Sequence, residues 1–163
     1  MSDTAASSDF GIRRLRPTDL ERVIGIDTVH VGAPRRRFFE KRLAHAKQHP
    51  EEFVQVGVEK SGSLIAFAFS RISRGEFGRG QVVATLDAVG VEQDSRHRGV
   101  GHALMEELAR RFRDKGVRSL HSQVAWTDHT LLRFFEASGF RLAPRLVLER
   151  SALMPLAESI EDE

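Results

Sequence analysis

A short run of arginine and glycine residues is the part of the sequence whose composition points most directly to chemistry. The run covers residues 96–101, which are Arg96, His97, Arg98, Gly99, Val100 and Gly101. It stands between an apolar segment over 82–91 and a segment with helical periodicity. Glycine lets the backbone approach an anion closely, and the first N–H groups of a helix have no partner inside the helix. The helix dipole and the arginines favour negative charge there as well, so the run predicts a site for a phosphate or pyrophosphate.

Other interpretations of the same glycines remain open. A Gly-x-Gly pair is also found in ordinary loops, where it only eases the start of a helix. A dinucleotide-binding fingerprint is disfavoured because Leu104 occupies the position of its third glycine. A Walker A loop is excluded because the run lacks its Gly-Lys-Ser/Thr ending.

The elements that must position this run alternate between strands and helices. We predict strands over 12–15, 53–59, 64–69, 82–91, 119–125, 140–142 and 146–149, and helices over 20–31, 36–49, 100–115 and 128–138. The helix after the glycine run is the clearest, because Leu104, Leu108 and Phe112 recur at helical spacing ahead of Gly116. The order β-α-α-β-β-β-α-β-α-β-β predicts an α/β fold with a mixed sheet and helices on its faces.

Length and composition limit the number of domains and the classes of function. With 163 residues we expect one domain over 10–150, between a disordered N-terminus (1–9) and an acidic tail (151–163). The absence of cysteine excludes disulfides, cysteine-bound metals and a thiol nucleophile. The net charge of +2 is spread along the chain, which argues against a nucleic-acid partner. No apolar run approaches the ~20 residues that span a bilayer, and no signal peptide is recognisable, so we expect a cytoplasmic protein without a membrane partner.

Metal binding is not expected either. His45 and His49 are four residues apart on a predicted helix, but no third ligand has suitable spacing. Solvated helix residues explain both histidines.

The pattern Arg96-x-x-Gly99-x-Gly101 resembles the pyrophosphate signature of the GNAT superfamily of N-acetyltransferases, Gln/Arg-x-x-Gly-x-Gly/Ala. The strand over 86–91 is similar to the fourth strand of that family. Residues 128–140 resemble its Asn-x-x-Ala-x-x-Phe-Tyr-x-x-x-Gly-Phe segment, with Phe134 and the final glycine and phenylalanine in place. The similarity in element order extends from about residue 10 to 150.

The resemblance implies acetyl-CoA as co-substrate and an amine as acceptor. The pantetheine arm would bond to the strand near Val89 and Val91, and the pyrophosphate would lie on residues 98–103. The implied acetyl-CoA-binding residues are Val89, Val91, Arg96, Arg98, Gly99, Val100, Gly101, His102, Ala103, Asp128, Phe134 and Phe135. A homodimer is compatible with the resemblance, although the sequence does not locate an interface.

Two residues are candidates for the base that deprotonates the amine. Asp87 lies on the strand that resembles the acyl-binding strand, where many members carry a carboxylate; the alternative is an ion pair with an arginine or a turn cap. His121 is the second candidate, since alternation puts it on one face with Ser119 and Gln123; the alternative is a structural or solvated histidine. A backbone N–H between Val89 and Val91 would stabilise the oxyanion.

Three departures from the family pattern bear on the mechanism. Phe135 stands where the family often has a general-acid tyrosine, and the chain contains no tyrosine. Asp128 replaces asparagine and Leu131 replaces alanine.

The resemblance as a whole implies transfer of an acetyl group to a primary amine of a small molecule or protein, by direct attack on the thioester. The alternative is a non-catalytic acyl-CoA-binding sensor or regulatory module with the same fold.

Overall fold

A computed structural model describes residues 9–74 and 81–153. The elements in chain order are β1 (Gly11–Arg13), α1 (Leu20–Val31), α2 (Arg36–Gln48), β2 (Phe53–Lys60), β3 (Ser63–Arg74), β4 (Val82–Val91), α3 (Val100–Asp114), β5 (Ser119–His121) and α4 (His129–Ala137). The strands form one sheet in the order β1-β2-β3-β4-β5. All neighbours are antiparallel except β4 and β5, which are parallel and joined through α3. The predicted α/β class is thus confirmed.

The two faces of the sheet carry separate apolar clusters. On one face α3 and α4 pack through Leu104, Leu108, Phe112 and Phe135. On the other face α1 and α2 pack on β3 through Val23, Phe39, Phe67 and Phe69. Because β3 is covered on both faces, its side chains are buried continuously from residue 64 to 70. This explains the unbroken apolar run in the sequence.

A bulge in β4 distorts the centre of the sheet. Phe69 of β3 pairs with Ala88, whereas its neighbour Ser70 pairs with Leu86, so Asp87 has no partner residue on β3. An extra residue of this kind bends a strand and turns a side chain towards a new direction. The bulge therefore determines where the Asp87 carboxylate lies.

The prediction for the last strands of the sheet is wrong. Residues 140–142 and 146–149 form no strands, and β5 ends at His121 instead of residue 125. Leu142 is 98% exposed and Leu146 is 89% exposed, so residues 9–74 and 81–153 offer no surface that buries this segment. A strand needs a partner with free backbone groups along its length, and β5 pairs over only three residues.

Most residues of the two predicted tails lie outside the described part of the chain. The division into tails and one domain therefore stays a prediction. Among the helices that the structure describes, none is both long and apolar enough to cross a membrane.

Candidate functional site

A cleft opens where β4 and β5 diverge. The two strands pair only over 83–85, and Ser122 Oγ then donates a hydrogen bond of 3.1 Å to the carbonyl oxygen of Leu86. Beyond this point, a cleft of about 1170 Å³ runs between residues 86–91 of β4 and a wall made by residues 122–125 and α4. The backbone of β4 has no partner strand on this side within the described residues. An extended ligand could therefore pair with it.

One end of the cleft lies at the start of α3. Gly99 has φ of 78°, in the left-handed region that glycine adopts without strain. The N–H of Ala103 donates to the carbonyl oxygen of Gly99 at 3.0 Å, so the preceding N–H groups are those without a partner inside the helix. This end of the cleft has the geometry that suits an anion.

The predicted phosphate-binding residues fall into two groups. Arg96 and Gly101 line the cleft, and so does His97, which has φ of 60°. Arg98, Gly99, Val100, His102 and Ala103 are not among the lining residues. Val100 is 2% exposed and its side chain belongs to the core, so only its backbone can face a ligand. A role of either group in phosphate binding stays a prediction.

Gly101 is required by packing between helices. A Cβ atom at this position would lie 2.8 Å from Cε2 of Phe134, which is closer than carbon atoms approach. Phe134 also lines the cleft. The glycine therefore allows α4 to approach the first turn of α3 and form the cleft wall.

Phe135 belongs to the apolar core and also lines the cleft. It is 6% exposed, and its ring centroid is 4.7 Å from that of Phe140 and 5.7 Å from that of Phe134. A phenylalanine ring has no ionisable proton. The leaving group of any reaction in this cleft must receive its proton from another source.

Asp128 retains the role that an asparagine would have at the start of α4. Its Oδ1 accepts a hydrogen bond of 3.0 Å from the N–H of Leu131, and it lines the cleft. Asp and Asn are equally good N-cap residues, so this departure leaves the helix intact.

The end of β4 is connected to α1 by a histidine that the sequence did not reveal. Val89 and Val91 both line the cleft as expected. His30 Nε2 lies 3.1 Å from the carbonyl oxygen of Val91, and its Nδ1 lies 2.6 Å from Nη2 of Arg96. His30 therefore bridges the predicted pantetheine strand and the predicted phosphate arginine. Its place in the last turn of a helix gave no signal in the sequence.

Asp87 lines the cleft at the bulge, held between two arginines. Its side chain is 9% exposed, Arg71 Nε donates to its Oδ1 at 3.1 Å, and Arg42 Nη1 lies 3.3 Å from its Oδ2. Oδ2 accepts no hydrogen bond from the described residues. The arginine pairing that was the alternative for Asp87 is therefore present. Within the described part of the chain, Oδ2 nevertheless lacks a hydrogen bond, and it is buried beside Arg42.

His121 lies at the outer strand and is not among the residues that line the cleft. It pairs with Thr85 across the two strands, and its Nδ1 is 3.5 Å from Nη1 of Arg145. The structure does not bring it to the same cleft surface as Asp87. Gln123, which was expected on the same face as His121, does line the cleft.

An ion pair between a buried carboxylate on α1 and a partly exposed arginine before α2 lines the cleft. Asp27 on α1 is 2% exposed and accepts two hydrogen bonds from Arg35, of 2.6 and 2.8 Å. These bonds raise the pKa of the Arg35 guanidinium. The sequence contained a signal for this pair, because Asp27 continues the apolar stripe of Val23 and Ile24 at helical spacing.

A cluster of potential metal ligands lies away from the cleft. Among the described residues, His49, Glu51 and Glu52 have ligand atoms within 4.8 Å of one another. All three are exposed, and none lines the cleft. Exposed acidic groups of this kind are common without an ion.

Comparison with known proteins agrees with the fold and with the family resemblance. The Acetyltransferase (GNAT) family model matches residues 15–140. The chain is 26% identical over 98 residues to the [ribosomal protein bS18]-alanine N-acetyltransferase of Escherichia coli (strain K12). That match covers 60% of this chain and 62% of the relative, so it spans less than two thirds of the relative's length.

Solved structures share the fold at low sequence identity. The aminoglycoside N-acetyltransferase AAC(6')-Iy in complex with CoA superposes with a TM-score of 0.69 at 22% identity, covering 88% of this chain and 95% of that one. A ribosomal-protein-alanine N-acetyltransferase from Brucella melitensis biovar Abortus 2308 gives 0.69 at 17% identity, covering 87% and 99%.

Proposed function

The chain belongs to the acetyltransferase (GNAT) family, and from this premise we propose that it is an N-acetyltransferase. It transfers an acetyl group from acetyl-CoA to a primary amine of a small molecule or protein, by direct attack on the thioester. The observation that carries the proposal is the cleft between β4 and β5. It combines an open strand backbone over 86–91 with the start of a helix at Gly99, so it offers a path for an extended, phosphate-bearing thioester.

The bonds and protons of the proposed reaction balance when an amine, acetyl-CoA, a base and water take part. The amine nitrogen forms a bond to the acetyl carbon, the C–S bond breaks, and CoA leaves as a thiolate. A lysine-like ammonium has a pKa of about 10.4, so a base or water must first remove a proton. A thiol has a pKa of roughly 8.5, so the thiolate can leave and be protonated by water without a phenol. This chemistry needs no metal.

Asp87 is the proposed base. Its carboxylate lines the cleft, and Oδ2 accepts no hydrogen bond from the described residues. Because Oδ2 is buried beside Arg42, proton transfer to it requires a water molecule or a movement of the Arg42 side chain. His121 is the second candidate and would have to act through water, because it is outside the cleft lining. Acetyl-CoA itself would contact Val89 and Val91, with its pyrophosphate near Arg96.

A steady-state assay tests the proposal. We expect release of free CoA from acetyl-CoA that depends on an added amine, with a mass increase of one acetyl group on the amine. The panel should contain free amino acids, aminoglycosides and a peptide with an N-terminal alanine, because the relatives are named for the last two acceptors. Absence of amine-dependent release with every acceptor would contradict catalysis.

The second candidate function is an acyl-CoA-binding sensor. Two observations favour it: Phe135 has replaced a possible acid, and Asp87 is held by two arginines. A sensor would bind acetyl-CoA in the same cleft without amine-dependent turnover. The assay above separates the two functions.

The proposal also covers the cellular location and the oligomeric state of the protein. We place it in the cytoplasm, in agreement with a sequence that has no cysteine to form disulfides. We also propose a homodimer, because exposed apolar residues at 142 and 146–148 would be covered by an interface. Neither nucleic acid nor a membrane is part of the proposal.

A further inference from the structure

Three arginines contact the two aspartates that line the cleft, and one of the three, Arg35, lines the cleft itself. Arg42 and Arg71 contact the carboxylate of Asp87, and Arg35 contacts that of Asp27. The set of Arg35, Arg42 and Arg71, here named the arginine cluster, is continuous. It is linked by the ring of Phe38, which has the Arg35 guanidinium 4.9 Å and the Arg42 guanidinium 5.2 Å from its centroid.

The charges that reach solvent in this region are positive. Three guanidinium groups face two carboxylates, which leaves an excess of one positive charge. The carboxylates of Asp27 and Asp87 are 3% and 9% exposed, whereas the three arginine side chains are 23–45% exposed. The solvent-exposed charge next to Asp27 and Asp87 is therefore carried by guanidinium groups.

Each guanidinium also retains open donors. Arg71 contacts Asp87 through Nε alone, and its two terminal nitrogens have no acceptor among the described residues. Arg35 uses Nε and Nη2 for Asp27 and keeps Nη1. Stacking on Phe38 holds the planar groups of Arg35 and Arg42 in place. Pre-oriented guanidinium donors favour carboxylate or phosphate oxygens.

We infer that the amine acceptor carries an anionic group, a carboxylate or a phosphate, which the arginine cluster binds while the amine reaches Asp87. The inference rests on the proposed acetyl transfer and adds the class of acceptor. It distinguishes this chain from enzymes that bind polycationic aminoglycosides, because a polycation would be repelled by Arg42 and Arg71. A small amino acid or an amino sugar phosphate has the required pair of groups.

Matched acceptors test the inference. Each pair shares one amine and differs only in the second group: an amino acid and its carboxamide, and an amino sugar phosphate and the unphosphorylated sugar. We expect at least one anionic acceptor to have a kcat/KM about tenfold above its neutral partner, since a charge-assisted pair is worth about 1.4 kcal/mol or more. The arm with the larger ratio identifies the anion as carboxylate or phosphate.

Variants test whether the arginine cluster causes the preference for anionic acceptors. R71Q and R42Q should reduce the anionic-to-neutral ratio about tenfold, mainly through KM of the anionic acceptor, and R71K should retain part of it. Arg37→Gln is the matched control, because Arg37 is exposed on α2 and makes none of these contacts. Thermal unfolding of each variant checks that the fold is kept.

The outcomes are separable from those of the proposed function. Equal use of anionic and neutral partners, preference for a polycation, or a ratio unchanged in R71Q and R42Q would each overturn the inference while acetyl transfer stands. Failure of acetyl-CoA to bind would instead contradict the proposed function. Binding of acetyl-CoA without acetylation of any anionic amine would also overturn the inference.

Discussion

A single carboxylate, Asp87, can act both in structure and in catalysis at this site. Its Oδ1 is engaged by Arg71, whereas its Oδ2 accepts no hydrogen bond from the described residues. The identity of the residue could be predicted from resemblance to a family strand. Its surroundings could not, because the bulge depends on how β4 pairs with β3 and the two arginines come from distant parts of the chain.

At the same scale, Asp87→Asn should lower kcat about 100-fold, because general-base catalysis typically contributes 10²–10⁴. Acetyl-CoA should still bind, since the amide keeps the shape of the carboxylate. Turnover and the thermal shift with acetyl-CoA measure the two effects. Asp114→Asn, on the exposed end of α3, is the control. A kcat within twofold of the wild type would leave Asp87 with a structural role alone.

Contact between α3 and α4 sets the width of the cleft. Gly101→Ala should destabilise the fold by about 1–3 kcal/mol, because its Cβ would overlap Phe134. Phe134→Leu in the same chain should restore part of the loss. Denaturant unfolding gives both values. The control is Gly25→Ala on α1, where a Cβ meets nothing within 4 Å and alanine should stabilise the helix. Equal effects at the two glycines would contradict this account.

The connection between α1 and α2 depends on the Asp27–Arg35 pair. Asp27→Asn should cost about 1–3 kcal/mol, because the buried carboxylate loses its charge-assisted hydrogen bonds from the partly exposed Arg35. Glu21→Gln, which breaks a fully exposed pair with Arg36, should have no detectable effect. Urea unfolding at neutral pH compares them. A small loss of stability for Asp27→Asn would mean that the pair does not hold α1 and α2 together.

Elements were predicted well where they depend on a local sequence pattern. They were predicted poorly where they depend on pairing with a strand that is distant in the sequence. The periodicity of Leu104, Leu108 and Phe112 is enough to define α3. The segments 140–142 and 146–149 have strand-like sequences but pair with no strand among the described residues. Gly101 was assigned to phosphate approach, whereas its contact with Phe134 depends on the position of α4, which no local pattern reveals.

For the whole molecule, stability should fall in acid partly through Glu107. Hydrogen bonds from Arg110, and then from Arg111, lower the pKa of Glu107 from 4.5 to about 2. The folded state therefore prefers the charged carboxylate, so its contribution is present above pH 4.5 and is lost as the pH falls towards 2. Glu107→Gln should be less stable by about 1 kcal/mol at neutral pH, and the difference should vanish in acid. Urea unfolding across this range measures it; a pH-independent difference would contradict it.

Binding of acetyl-CoA in the cleft is the central claim, and thermal unfolding tests it most directly. Acetyl-CoA and CoA should raise the unfolding midpoint, with about 2.7 kcal/mol gained at 100 times Kd, whereas NAD and ATP should not. Arg96→Glu should lose the shift, because Arg96 lines the cleft, and Arg113→Glu at the far end of α3 should keep it. No shift with either CoA compound, or an equal shift in Arg96→Glu, would contradict the account.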